Sequence, residues 1–209
     1  MTYEIIDYDK KCVIVGYSGA GKSTLLNYFL KEIAKEKLNC VVVDTTSKFS
    51  EKKNIRYRGK TKCKHRNKNS VCVKIQNETD LEKIVKGIND KDTIPILLVV
   101  DEIDQFTNTY HLMPETSLFF QQGRNYNHGG IFTIRQVGRL NKQILSNAQT
   151  LVLFKIYNKN DIDYLTSAIG IDVSDMVYEL KPHEFYLLDL TNSVVIGKYI
   201  LNKNTLESI

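Results

Sequence analysis

No apolar run in this chain is long enough to cross a membrane. The longest, Ile94 to Val100, has seven residues including a proline, against the roughly 20 that a spanning helix needs. The opening, MTYEIIDYDK, has neither the basic start nor the apolar middle of a signal peptide, which predicts a protein that acts inside a cell. Cysteine is scarce, with 4 in 209 residues. Cys12 and Cys40 sit in apolar runs and read as small core residues, and disulfides are not expected of an intracellular chain. No internal repeat and no low-complexity linker is visible. The expectation is one domain over 1–209, with a basic insertion at 48–74 and a terminal hairpin at 183–201.

What is present is an ordinary globular composition, 42% hydrophobic and 25% charged, enough for one α/β domain with a full core. The net charge of +5 is unevenly spread. Between Lys48 and Lys74 there are eleven Lys or Arg and one acid, Glu51, so that segment carries +10 and the rest of the chain −5.

Strand and helix patterns alternate. Lys11–Val15 and Cys40–Val43 read as short buried strands. Between them, Lys22–Lys37 reads as a helix with Leu25, Leu26, Phe29, Leu30 and Ile33 on one face. Val71–Ile75 alternates like a strand. Thr79–Ile88 looks like a helix with Thr79 as N-cap and Glu82 at the capping-box position. Ile94–Val100 is the most apolar strand. Ser117–Asn127 is expected to be a helix stopped by Gly129-Gly130. Ile131–Ile134 and Leu151–Ile156 follow as strands, and Asp161–Ile169 as a helix ending at Gly170. Phe185–Leu190 and Val194–Ile200 flank a turn, as in a hairpin. Buried strands alternating with helices imply a mostly parallel sheet covered on both faces.

The residues Gly16, Tyr17, Ser18, Gly19, Ala20, Gly21, Lys22, Ser23 and Thr24 satisfy G-x-x-x-x-G-K-[ST] between a buried strand and an amphipathic helix, the context that confirms a P-loop. Glycines let the backbone curl its N–H groups toward phosphate oxygens. The helix adds its positive end. Lys22 is expected to reach the β- and γ-phosphates of ATP, and Ser23 to supply a hydroxyl to Mg²⁺. A second signal is the strand that ends in Asp101-Glu102. In a P-loop enzyme the first acid holds Mg²⁺ through its water shell, and the second can orient the attacking water. Adjacent acids on extended backbone point different ways, which suits that division. Asp104 is a weaker alternative. No guanine-reading N-K-x-D occurs, so adenine is the expected base.

The stretch from Ser117 to Ile156 resembles the corresponding part of the FtsK/HerA ATPases. It carries Gly123-Arg124-Asn125-Tyr126, then Ile131 to Gln136, then Ile144-Leu145-Ser146-Asn147. Within that superfamily the chain is similar to genome-packaging ATPases of tailless icosahedral viruses with internal membranes, of the Sulfolobus turreted type. Val-Gly-Arg-Leu follows Gln136, where many relatives have a proline. The resemblance implies a RecA-like P-loop NTPase of the ASCE type. It makes Gln136 a polar sensor of the γ-phosphate or the attacking water. It makes Arg124 an arginine finger that reaches a neighbouring subunit's ATP, with Arg135 and Arg139 as competitors. It further implies a pentameric or hexameric ring that moves double-stranded DNA, contacts to capsid or vertex proteins, and a place in the host cytoplasm or at the virion vertex. Two alternatives stay open: a cellular or plasmid HerA-like translocase, and a nucleotide-dependent switch without a DNA role, against which the acid pair argues.

In the basic segment Lys52, Lys53, Arg56, Arg58, Lys60, Lys62, Lys64, Arg66 and Lys68 recur nearly every second residue. On extended backbone many of them share a face, which suits contact with a phosphate backbone. The bland alternative is a solvated loop. Cys63, His65 and Cys72 invite a zinc reading, but only three possible ligands cluster and no C-x-x-C occurs.

Overall fold

Lys-Cys-Val-Ile-Val at Lys11–Val15 is buried at every position and forms strand β1. Its neighbours on both sides explain why alternation fails there, because helices cover each face of the sheet. The computed structural model describes residues 6–45, 49, 60–62, 69–91, 93–202 and 205–209. In chain order the elements are β1, α1 (Lys22–Lys35), β2 (Cys40–Val43), β3 (Lys60–Lys62), β4 (Ser70–Val73), α2 (Glu78–Asn89), β5 (Ile96–Val100), α3 (Pro114–Gln122), β6 (His128–Ile134), α4 (Lys142–Ser146), β7 (Thr150–Phe154), α5 (Lys159–Ile169), α6 (Ser174–Glu179), β8 (Glu184–Asp189), β9 (Val194–Asn202) and β10 (Thr205–Ser208), with single 3-10 turns at Ile103–Gln105, Gly123–Tyr126 and Val137–Arg139.

One sheet carries the strand order β10-β9-β8-β7-β1-β6-β5-β2-β4-β3 among the described residues. Its centre, from β7 through β4, is parallel. β3 adds antiparallel at one edge, and β8, β9 and β10 add antiparallel at the other. The mostly parallel sheet, the flanking helices and the terminal hairpin agree with the expected RecA-like fold. On one face α1 buries Leu25, Leu26, Phe29, Leu30 and Ile33 against Cys12 and Ile14. On the other, α2, α3, α4, α5 and α6 pack over Val13, Val15 and Phe132.

Several boundaries differ from the sequence patterns. Helix α2 begins two residues earlier, because Asn77 rather than Thr79 caps it, its side chain accepting from Asp80 N at 3.0 Å. Glu82 does not close a capping box on its own helix. It caps α3 instead, accepting from Glu115 N at 2.6 Å and Thr116 N at 3.0 Å. Helix α3 therefore starts at Pro114, a favoured first helical residue, and gives way to a 3-10 turn at Gly123. Gly129 and Gly130 do not stop a helix. They lie inside β6, where a Cβ would meet Asp7 O at 2.4 Å and Phe132 Cζ at 2.4 Å respectively. Cys12 and Cys40 are buried free thiols as expected. Cys72 is buried and disulfide-bonded, against the expectation of reduced cysteines. A sulfur in a disulfide is not the thiolate that zinc requires.

Candidate ATP site

The parallel centre of the sheet brings the ends of β1, β5 and β6 to one edge, the place where open α/β sheets bind ligands. The P-loop leaves β1 there. Gly16 has no room for a side chain, since a Cβ would lie 2.6 Å from Phe154 Cβ. Gly21 has φ 115, in the left-handed region that glycine tolerates. Both are therefore fixed as glycine by shape as well as by motif. Lys22 is buried, and its Nζ donates to Gly16 O at 2.5 Å and to Tyr17 O at 3.0 Å. Burial lowers its pKa, while the charges of Glu102, Asp104 and Asp101 oppose that shift. A cation in this position, desolvated and folded onto the loop, is poised to exchange carbonyls for phosphate oxygens.

Asp101 and Glu102 leave β5 opposite the loop. Asp101 is buried and accepts from Thr133 Oγ1 at 2.8 Å. The same hydroxyl accepts from Glu102 N at 2.8 Å. Glu102 does not continue the extended strand, as the sequence reading assumed. Its φ of 57 puts it in the left-handed region. Gln105 donates its side-chain amide to Glu102 Oε2. Asp104 has a different task from the other acids. It is buried and accepts from Arg135 N and Gln136 N, both at 3.1 Å. Burial raises its pKa, and those two backbone hydrogen bonds pull the other way. Asp104 thereby pins the end of β6, and with it the exposed side chains of Arg135 and Gln136.

A pocket of about 190 Å³ is lined by Ser18, Gly21, Lys22, Ser23, Thr24, Asp101, Glu102, Arg135 and His183, among others. A second, of about 200 Å³, lies beyond Ser18 and includes Tyr17, Gln136, Tyr157 and Asp161. The Tyr17 and Tyr157 rings are 4.8 Å apart. The loop, both acids and Gln136 are thus gathered at one edge. Arg124 is not among them. It is exposed at the opposite edge of the sheet, near the start of β1, its Nε 4.0 Å from Asp9 Oδ2. It therefore does not complete the site of its own chain. Arg139 lies just past the sensor strand and lines neither pocket. Two residues of the site had no share in the motif reading. Arg135 was named only as a rival finger, and His183 comes from a turn far along the chain.

Among the described residues no group of three or more His, Cys, Asp or Glu can hold a metal by itself. Mg²⁺ in such sites binds through one or two carboxylates plus substrate phosphates and water. Ser23 and Asp101, which line one pocket, would hold it. Lys60 and Lys62 lie on β3. Lys52, Lys53, Arg56, Arg58, Lys64, Arg66 and Lys68, with Cys63 and His65, fall outside the described residues. Among the described residues no helix is long and apolar enough to cross a membrane.

Comparison with known proteins gives a match to the AAA domain family over residues 6–134. No curated protein sequence matches the chain. Among solved structures, the genome packaging NTPase of Sulfolobus turreted icosahedral virus 2 in complex with ATPγS is similar, with TM-score 0.74, 19% identity, and coverage of 91% of this chain and 97% of that one. The conjugation coupling protein TcpA with ATPγS has TM-score 0.68 and 14% identity, covering 96% of this chain and 62% of that one. EssC from Geobacillus thermodenitrificans has TM-score 0.59 and 15% identity, covering 87% and 38%. At these identities the likeness is one of fold.

Proposed function

The chain belongs to the AAA domain family and is an ATPase, and on that premise we propose that it spends ATP hydrolysis on moving double-stranded DNA, packaging a viral genome into a preformed capsid. The observation that carries this reading is the separation of Arg124 from the P-loop of the same chain. One edge holds the phosphate loop, Asp101, Glu102 and Gln136, and the other holds an exposed arginine. Two different surfaces that complete one site require head-to-tail contact between copies, which gives a ring when the rotation between copies closes. Conversion of ATP hydrolysis into motion along a polymer suits such a ring. The similarity in fold to a genome packaging NTPase and to a conjugation coupling protein supports the same direction.

In this mechanism the backbone N–H groups from Ser18 to Thr24 and the Lys22 ammonium bind the phosphates of ATP. Mg²⁺, held by Ser23 and through water by Asp101, would neutralise charge on the β- and γ-phosphates. Glu102 accepts a proton from the attacking water. Gln136 orients that water or the γ-phosphate, and Asp104 holds it in position through the backbone. Arg124 from a neighbouring copy stabilises the charge that develops on the transferring phosphoryl group, an effect worth on the order of 10³–10⁵ in rate. The basic segment from Lys48 to Lys74 is the surface proposed to meet the DNA backbone. The protein would act in the host cytoplasm and dock at the virion vertex.

ATP hydrolysis measured with and without double-stranded DNA, across a range of salt concentrations, tests the proposal. Stimulation by DNA that fades as salt rises is expected, because phosphate contacts release counterions. Turnover indifferent to DNA at every salt concentration would sink it.

A further inference from the structure

The C-terminal hairpin carries no motif that gives it a task, yet it reaches the ATP pocket. Strand β8 pairs antiparallel with β7, with Phe185 opposite Phe154. β7 itself runs parallel to β1. The turn that enters β8 therefore arrives at the same edge as the P-loop. The Phe154 and Phe185 rings stand 5.0 Å apart, and Phe154 lies directly against the loop. A Cβ on Gly21 would be 3.3 Å from Phe154 Cε1 and 3.0 Å from His183 Nδ1.

His183 is held there at a conformational cost. Its φ is 67, a left-handed conformation uncommon outside glycine and a marker of sites that the surroundings over-determine. The surroundings do so from several sides. Glu184 N donates to Lys181 O at 3.1 Å, and Leu201 N donates to His183 O at 3.2 Å. Lys181 N donates to Glu184 Oε2 at 3.0 Å, and Lys198 Nζ lies 3.1 Å from the same carboxylate. The side chain so fixed is exposed and buries no core surface. It lines the pocket that also contains Gly21, Lys22, Ser23 and Thr24, with Asp101, Glu102 and Arg135 across from them.

Position along the P-loop indicates which part of a nucleotide the imidazole meets. The backbone at the last glycine and first helical turn cradles the α- and β-phosphates, while the lysine reaches the β- and γ-phosphates. Glu102 and Gln136 mark the γ-phosphate end. In the sheet, β7 and β8 lie on the opposite side of β1 from β6 and β5, which lead to Gln136 and Glu102, so His183 packs on Gly21 from the side away from the γ-phosphate end. Resting on the reading of this pocket as an ATP site, we infer that His183 is a specificity residue that contacts the nucleoside of bound ATP. An imidazole suits that role, since its face stacks on a base and its ring nitrogens hydrogen-bond ribose hydroxyls. The hairpin then belongs to the nucleotide site as well as to the sheet.

The test is calorimetric binding of ATPγS and of inorganic triphosphate, each with Mg²⁺, to the full chain and to His183→Gly. Glycine keeps the left-handed backbone while it removes the ring. Should that variant lower the unfolding midpoint without ligand, His183→Asn, which also tolerates the conformation, decides in its place. The expected result is ATPγS affinity about tenfold weaker, the size of a lost hydrogen bond, with triphosphate affinity held within about twofold. Unchanged ATPγS affinity, or an equal loss for both ligands, overturns the assignment of His183 alone. An unaltered chain that binds neither ligand overturns the ATP-site reading beneath it.

Discussion

Thr133, buried in the middle of the sheet, donates its hydroxyl to Asp101 Oδ1 at 2.8 Å and so fixes the carboxylate that faces the phosphate loop. Through the same oxygen it accepts the backbone N–H of Glu102. One hydroxyl on β6 therefore aligns both acids at the end of β5. Thr133→Val keeps the shape and removes the hydrogen bonds. It is expected to lower kcat by about tenfold or more and to raise the Mg²⁺ concentration needed for half-maximal hydrolysis, with a stability loss of about 1–3 kcal/mol. Thr133→Ser restores most of the activity. Mg²⁺ titration of ATP hydrolysis for the three proteins checks this.

The opposite placement of Arg124 and Lys22 makes a prediction about mixtures. Arg124→Ala alone and Lys22→Ala alone should both be nearly inactive. A mixture contains junctions in which an intact P-loop faces an intact Arg124 from the next copy. ATPase activity that rises above the sum of the two separate proteins is expected on mixing. Strict additivity over all mixing ratios would show that the arginine does not act between copies.

Lys11 gives a pH prediction. It is buried at the start of β1, with its Nζ 5.7 Å from the centre of the Phe119 ring. Burial is the main reason its pKa falls from 10.5 to about 8; Arg124 lowers it further and Asp9 partly offsets the fall. A folded pKa below the unfolded one means the unfolded chain binds more protons between these two values, so this group's contribution to stability rises with pH across that window. The penalty is fully present below about pH 8. Lys11→Met should therefore be more stable than the unaltered chain at pH 7, by more than ~1 kcal/mol, and the gap should close toward pH 10.5. Chemical denaturation at a series of pH values measures the gap.

The parts of the site that are contiguous in sequence were legible there. The P-loop and the Asp101-Glu102 strand end each bring residue types, spacing and flanking elements together within a short stretch. The parallel sheet followed from buried strands without alternation. Parts that depend on long-range packing were not legible. Glu82 fits a capping box by spacing, but α3 lies close enough to take its carboxylate. Gly129 and Gly130 look like a helix stop until the Phe132 ring and the backbone at Asp7 are seen to occupy the space a side chain would need. Glu102 was expected on extended backbone, and the turn at Ile103–Gln105 reverses it. His183 joins the pocket only through the antiparallel pairing of β8 with β7, which no local pattern encodes.

The most direct measurement is ATP-dependent displacement of a third DNA strand from a triplex placed on a linear double-stranded track. The unaltered chain is expected to displace the strand with ATP and not with ATPγS. Glu102→Gln is expected to bind ATP, hydrolyse it about 10²–10⁴-fold more slowly, and displace no strand. ATP hydrolysis at full rate on DNA without strand displacement would contradict the account.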